Sequence, residues 1–414
     1  MIRFIHTADI HFGMENYGRI DATSGIHSRL HDFDNAFTMC VNYAMEQQVD
    51  FFLFSGDAYK TANPTPTHQK FFLKGLLKLY EHKIPTVLIL GNHDNPLSYG
   101  KAHSLDLFAD LPLDGFHVVA KPTIIPLKTK HGPVNIVGIP WPTRNTVTLG
   151  AKNLAKSSLQ ITEYISEAVS RIIQDMASSL DPEIPAVLAA HLTVASGIFS
   201  GSEKRAIYGT DPLFMPSQLA LSPFDYVALG HLHRYQDLNP NGYPSIIYSG
   251  SIERIDFGER KEEKGFCDVT IHAKGTTTHQ FVPTPTRPFI QIEAHLSHER
   301  QTEDLIAQIA THPIENAVIK ILYHLPPDAR DTVNLSAVQK ACAQAWYIVG
   351  VLPVRKIQPR ERRAHLDVDT DFKTMLSNYL DTKPELAKRK QILIDKALEL
   401  YDEAQEQILE EEEK

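Results

Sequence analysis

The chain has 414 residues, 43% of them hydrophobic, which is too long for one ordinary domain and rich enough for two or three with real cores. Its formal net charge of −9 argues against holding nucleic acid by phosphate contacts alone. Three scattered cysteines, Cys40, Cys267 and Cys342, exclude a disulfide framework and a cysteine zinc site and fit a reducing, cytoplasmic compartment.

The first segment, "MIRFIHTADIHFG", carries Asp9 and His11 where a signal peptide needs an apolar core. From there to about residue 280 one pattern repeats, an apolar, β-branched run that ends in Asp, His or Asn. "IRFIHTADIH" ends at Asp9 and His11, "DFFLFSGD" at Asp57 and "TVLILGNHD" at Asn92 and His93. "PAVLAAHL" ends at His191 and "YVALGHLH" at His231 and His233. Helical periodicity lies between several of these runs, at 30–47 and 67–82 for example. Alternation of this kind predicts α/β layers around a buried sheet, with ligands beyond the carboxyl ends of the strands.

A proline-rich stretch, "VPTPTRP" at 282–288, reads as a stiff linker. Beyond it "FIQIEAHL", "TEDLIAQIATH", "NAVIKILYHL", "NLSAVQKACAQAW" and "YIVGVLPVRKI" spell β-α-β-α-β, a small second domain without an obvious polar constellation. Residues 372–414 read as helical, with Thr382 as N-cap before Pro384 and Glu385. An apolar stripe follows through Ile394, Leu398, Tyr401 and Ile408, flanked by Leu393, Ala397, Leu400 and Ala404. That stripe either docks on a partner or packs on its own chain. The end is acidic: residues 361–414 carry 15 acids against 9 bases, net −6, and the preceding 360 carry 35 against 32, net −3. No run of 18 apolar residues occurs, so no membrane span is expected.

Carboxylate oxygen, amide oxygen and imidazole nitrogen together suit Mn²⁺, Fe²⁺ or Zn²⁺. The 9–11 and 231–233 spacings put both side chains of each pair on one face of an extended segment. A single carboxylate, Asp57, can bridge two ions about 3.5–4 Å apart, and such a pair activates water and steadies both oxygens of an in-line phosphoryl displacement. His93 then remains to protonate a leaving oxygen or to stabilise charge on the phosphorane. Asp94 orients His93 or stabilises the turn. Alone, Asp-x-His or "SGD" is usually structural; the ordered set of five is not reached by accident. His6, His27, His31, His68 and His103 fall on helices, loops or odd strand positions and are not expected to be ligands.

The set "DIH", "GD", "GNHD", "AAH", "GHLH" resembles the calcineurin-like metallophosphoesterase superfamily. The resemblance implies a β-sandwich flanked by helices rather than a simple parallel sheet. It implies that Asp9, His11, Asp57 and His233 hold one metal, that Asp57, Asn92, His191 and His231 hold the other, and that His93 is catalytic. "IRFIHTADIHFG", "RLHDFDNAF", "ALGHLHR" and "YSGSIERIDFGERKEEKGF", with the domain order, resemble more narrowly the SbcD family of break-repair nucleases. That resemblance implies a nuclease domain over 1–282, a capping DNA-binding domain over 289–360 and tail helices at 372–414 that bind an SbcC-type coiled-coil ATPase. It implies two divalent ions, most simply Mn²⁺, and cleavage of DNA as a single-strand endonuclease and a duplex 3′-to-5′ exonuclease in end processing, repair, recombination and replication. It implies a homodimer within a heterotetramer, in the cytoplasm at the nucleoid. The chain has no G-x-x-x-x-G-K-[ST], so ATP hydrolysis falls to the partner. Two departures stand out: Lys60 occupies a position where some members carry a second histidine, and 13–29 is long for the family. Another phosphodiesterase or phosphoprotein phosphatase on the same scaffold is the alternative, but it needs neither the 289–360 domain nor the tail. A non-enzymatic DNA tether would not need every ligand.

Overall fold

Phe51, Phe52, Leu53 and Phe54 are all fully buried, because their strand is covered on both faces. Phe51 and Leu53 enter a core between two sheets; Phe52 and Phe54 enter a second core beneath helices. Burial on both sides is why these strands read as near-continuous apolar runs.

The computed structural model describes residues 1–96, 101–109, 114–143, 158–201, 211–327, 329–354, 372–381 and 383–400. The chain divides into two compact units, Met1–Leu352 and Pro353–Lys414. In the first unit, one six-stranded sheet runs Thr276–Pro283, Gly265–Ala273, Ile2–Thr7, Phe51–Phe54, Thr86–Ile89, Phe116–Val119 from edge to edge. The last four strands are parallel and the first two are an antiparallel hairpin against Ile2–Thr7. The other six-stranded sheet runs Gln236–Asp237, Ser245–Tyr248, Tyr226–Gly230, Ala186–His191, Gly132–Ile139, Thr123–Thr129. Its four central strands are parallel and its edges antiparallel.

Phe4, Phe51, Val87, Ile136, Val187 and Ala228 interleave between the sheets. Helices Ser28–Glu46 and Pro66–Glu81 cover the outer face of the first sheet through Phe33, Phe37, Phe72 and Leu76. Helix Ser158–Ser178 covers the second through Val169 and Ile173. This is a helix-flanked β-sandwich. Both helices foreseen at 30–47 and 67–82 lie within two residues of their expected bounds.

The β-α-β-α-β segment forms as read: strands Phe289–His295, Val318–His324 and Tyr347–Val354 make a three-stranded sheet with helices Gln301–Ala310 and Leu335–Ala341. It has its own core of Ile292, Leu305, Ile319, Ile321 and Val338. The proline-rich stretch before it is not a free linker. The Thr284 hydroxyl donates to the Ile252 carbonyl at 2.6 Å, and the Arg287 guanidinium forks onto Asp32 at 2.9 and 2.6 Å. The 13–29 segment is tied to the same seam. Tyr17 meets Phe289 edge-on, centroids 5.5 Å apart, and the Arg19 guanidinium lies 5.3 Å from the centre of the Trp346 ring.

In the second unit, a helix Phe372–Asp381 leads to a 3₁₀ turn Pro384–Arg389 and then to helical residues through 400. Leu380 and Ile394 are buried, while Tyr379, Ile392, Leu393 and Leu400 are exposed. Thr382, Tyr401, Ala404 and Ile408 lie outside the described residues. No helix among the described residues is long and apolar enough to cross a membrane.

Phe4 stacks on Phe51 with centroids 4.5 Å apart at 11°. Phe4→Ala empties the centre of the inter-sheet core and is expected to cost about 3–5 kcal/mol. The check is the shift in midpoint of urea unfolding followed by circular dichroism.

Candidate active site

All five polar clusters leave the carboxyl ends of parallel strands. Asp9 and His11 follow Ile2–Thr7, Asp57 follows Phe51–Phe54, and Asn92 and His93 follow Thr86–Ile89. His191 closes Ala186–His191, and His231 and His233 follow Tyr226–Gly230. The two sheets meet at this edge: the Asp9 carboxylate accepts the His231 N–H at 3.0 Å, and His191 Nδ1 lies 2.8 Å from the Ser55 carbonyl oxygen.

The chain turns sharply as it leaves three of these strands, Ile2–Thr7, Phe51–Phe54 and Tyr226–Gly230. Asp9, His11, Asp57 and His231 have φ of 53°, 54°, 61° and 107°. Left-handed backbone at non-glycine residues costs of order 1–3 kcal/mol each and persists only where the surroundings impose it. This corrects the reading of 9–11 and 231–233 as extended pairs: turns bring these side chains in, and His231 and His233 reach different clusters. The neighbouring glycines are spatial necessities. A Cβ on Gly56 would sit 2.3 Å from His191 Nδ1, and one on Gly91 would sit 2.1 Å from an Asp57 oxygen.

Two groups of donor atoms result. Asp9, His11 and His233 form one, with His11 Nε2 3.2 Å from His233 Nε2. Asn92 Oδ1 lies 2.9 Å from His191 Nε2 and 3.1 Å from His231 Nδ1 in the other. Asp57 Oδ2 stands between them, 3.6 Å from His11 Nε2 and 3.4 Å from His191 Nε2. Asp9, Asp57, His11 and His191 are almost wholly buried.

The electrostatics show what the site calls for. Burial pushes the Asp9 carboxyl up to about 7, against the pull of His191 and His233. Burial acts the same way on Asp57, but His191, His93 and His11 outweigh it and hold its carboxyl well below the usual range. Burial disfavours the His191 imidazolium, yet the Asp57 carboxylate overrides this and raises it to about 9. His11 and His231 are pushed far down by burial and keep neutral rings with lone pairs. Buried carboxylates thus draw a proton onto His191 where a cation would serve them better. The donors fit divalent metal of the Mn, Fe or Zn kind.

His93 differs from the others in being exposed, its ring centroid 4.8 Å from that of His11. Its N–H donates to Asp57 Oδ1 at 2.8 Å, and its Nδ1 lies 2.8 Å from the Lys60 carbonyl oxygen. That contact sets Nδ1 as the donor and leaves Nε2 free on an exposed ring. His93 also lies near enough to share an ion with His11 and Asp57. The Asp94 carboxylate braces a turn and does not orient the His93 ring, whose Nδ1 is held by the Lys60 carbonyl. The buried Asp94 carboxylate accepts N–H groups of Asp57 (2.9 Å), Ala58 (3.2 Å), Tyr59 (3.3 Å) and Gly91 (3.3 Å), which fixes the Asp57 turn. The Lys60 side chain is exposed. His6 is buried between Tyr226 and the Leu229 carbonyl, and His27 caps helix Ser28–Glu46.

Three residues escaped the sequence reading. Glu259, fully buried, accepts from His233 Nδ1 at 2.9 Å and pairs with Lys264 Nζ at 2.9 Å. Lys264 in turn donates to the His233 carbonyl at 2.9 Å. Burial opposes the Glu259 charge, but Lys264 and His233 prevail and lower its carboxyl to about 2. "ERKEEK" at 259–264 has six charges in a row and looks like a solvated loop. Trp141 lies 4.8 Å from the His231 ring and 5.9 Å from His191. It follows strand Gly132–Ile139, whose end carries no Asp or His to flag it.

Comparison with known proteins adds four findings. The family model described as calcineurin-like phosphoesterase matches residues 2–235. The D subunit of nuclease SbcCD from Staphylococcus epidermidis is 28% identical over 312 residues, covering 74% of this chain and 75% of that protein. Among solved structures, a dimetal phosphatase from Danio rerio aligns over 68% of this chain and 98% of its own, at 8% identity and a TM-score of 0.39. The protein TT1561 of Thermus thermophilus aligns over the same shares at 12% identity and a TM-score of 0.35. TM-scores that low carry no assignment.

Two outcomes follow from the geometry. Glu259→Gln keeps the shape but removes the charge that orients His233, and is expected to weaken Mn²⁺ binding about 10–100-fold with the fold retained, as read by calorimetric titration. Asp9 is protonated more readily folded, near 7, than unfolded, near 3.8. Its contribution to metal-free stability is therefore complete below about 3.8 and lost as pH rises through about 7. With Asp9 as a ligand, Mn²⁺ affinity is expected to rise over the same window, because the carboxyl would have to lose its proton to bind the ion; thermal melts with and without Mn²⁺ from about pH 5 to 8 read both.

Proposed function

This chain belongs to the calcineurin-like phosphoesterase family, a family of divalent-metal hydrolases, and from that premise we propose that it is a DNA nuclease of the SbcD type. The observation that carries the reading is Asp57, a buried carboxylate between two groups of His, Asp and Asn donors. The Staphylococcus epidermidis relative supports the substrate, since 312 aligned residues take in sequence beyond the 2–235 span.

In this reading Asp9, His11, Asp57 and His233 hold one ion, and Asp57, Asn92, His191 and His231 hold the other, with Mn²⁺ the first choice. When bound, two such ions activate water and neutralise phosphate charge. Glu259 keeps His233 in one orientation, and Asp94 keeps Asp57 in its turn. His93 Nδ1 donates to the Lys60 carbonyl, so it is Nε2 of the doubly protonated ring that delivers a proton to the leaving oxygen, leaving the ring neutral. Residues 289–360 cap the site and bind DNA. The tail binds an SbcC-type coiled-coil ATPase through its exposed Tyr379, Ile392, Leu393 and Leu400. Two nuclease chains assemble with that partner in the cytoplasm.

The test is cleavage of a labelled blunt duplex and a single-stranded circle with Mn²⁺, with and without an SbcC-type partner and ATP. Asp57→Ala is expected to abolish cleavage, and the partner to increase it. Turnover of bis-p-nitrophenyl phosphate with both DNAs intact would replace the nuclease reading with a small-molecule phosphodiesterase. His93→Ala is expected to keep both metal equivalents and DNA binding while cutting cleavage by about 10²–10⁴-fold. Loss of a metal equivalent in that variant would make His93 a ligand.

A further inference from the structure

We propose a second metal site on the small sheet: Glu293, His295 and His324 bind a divalent transition-metal ion that favours imidazole, Zn²⁺ foremost. Read as sequence, 289–360 shows no polar constellation. The fold makes one by strand pairing. Phe289–His295 and Val318–His324 run parallel, with His295 opposite His324 and Glu293 opposite Leu322. Side chains alternate along a strand, so Ile292 and Ala294 enter the core while Glu293 and His295 share the other face.

His324 ends the neighbouring strand. Its Nε2 lies 2.6 Å from Glu293 Oε1. Its ring stacks on His295, centroids 4.4 Å apart at 16°. One donor atom from each of the three residues lies within 4.8 Å of the others. An exposed ion pair accounts for Glu293 and His324 but gives no reason for a second imidazole stacked on the first.

Two imidazole nitrogens and a carboxylate oxygen form the protein side of a three-ligand zinc site, with a fourth position open to water or to an incoming oxygen. Two nitrogen donors select against Mg²⁺ and Ca²⁺. The ion would clip the carboxyl ends of two strands and stiffen the small sheet. The inference is independent of the nuclease reading, since none of these residues belongs to that site.

The experiment counts Zn²⁺ equivalents on the full-length chain by elemental analysis after dialysis against buffered Zn²⁺. His295→Ala and His324→Ala are each expected to lose one equivalent, and to lose it again in an Asp57→Asn background where the candidate active site is already impaired. Glu293→Gln changes a side chain that is 52% exposed, so the test survives a histidine variant that misfolds. It is expected to weaken this Zn²⁺ equivalent by about tenfold or more. Equal Zn²⁺ equivalents and affinities in the original and variant chains, with matching circular dichroism, would overturn the site and leave a surface ion pair only.

Discussion

Asp57 is a carboxylate buried in a left-handed turn, φ 61°, and much of the first unit is arranged to keep it there. Four backbone N–H groups that flank it converge on Asp94. Its own oxygen takes the His93 N–H. Gly91 is bare because any Cβ would collide with it. A charge removed from water at such a point has to be answered by positive charge nearby. Imidazoles from both sheets, those of His191, His93 and His11, answer it and hold the carboxyl well below its usual range.

The sandwich makes this tolerable. Four strained residues at one edge would together cost several kcal/mol, and they rest on two six-stranded sheets that share a large apolar core. Neither sheet alone holds a full donor set. Asp9, His11, Asp57, Asn92 and His93 come from one, and His191, His231 and His233 from the other. The inter-sheet core therefore sets the distances in the site, and its rigidity is part of the chemistry.

The small sheet is joined to the sandwich by guanidinium groups and aromatic rings. Arg287 lies 4.1 Å from the centre of the Trp346 ring and forks onto Asp32. Arg29 pairs with Asp32 and reaches the Arg254 carbonyl. Tyr17, Phe257 and Phe289 pack beside them. Planar guanidinium groups that stack and hydrogen-bond at once suit such a seam better than lysine would. The stretch that reads as a linker in composition is thereby held as a joint.

Much of this was legible in the chain order. Apolar runs that end in Asp, Asn or His marked the strands, and the helix bounds followed from apolar spacing, because burial imposes periodicity on sequence. The family-like motifs named the same residues that the fold gathers. Glu259, Lys264 and Trp141 were not legible in their roles. A charged run such as 259–264 is solvated in almost any chain, and only the packing of this one buries Glu259 and Lys264 against His233. Chain order settles which residue types end the strands. Tertiary packing settles that strands from two sheets end at one edge, that turns and not strand alternation aim the donor side chains, and that Glu293, His295 and His324 meet. Those facts depend on contacts between residues far apart in the chain, which local spacing does not encode.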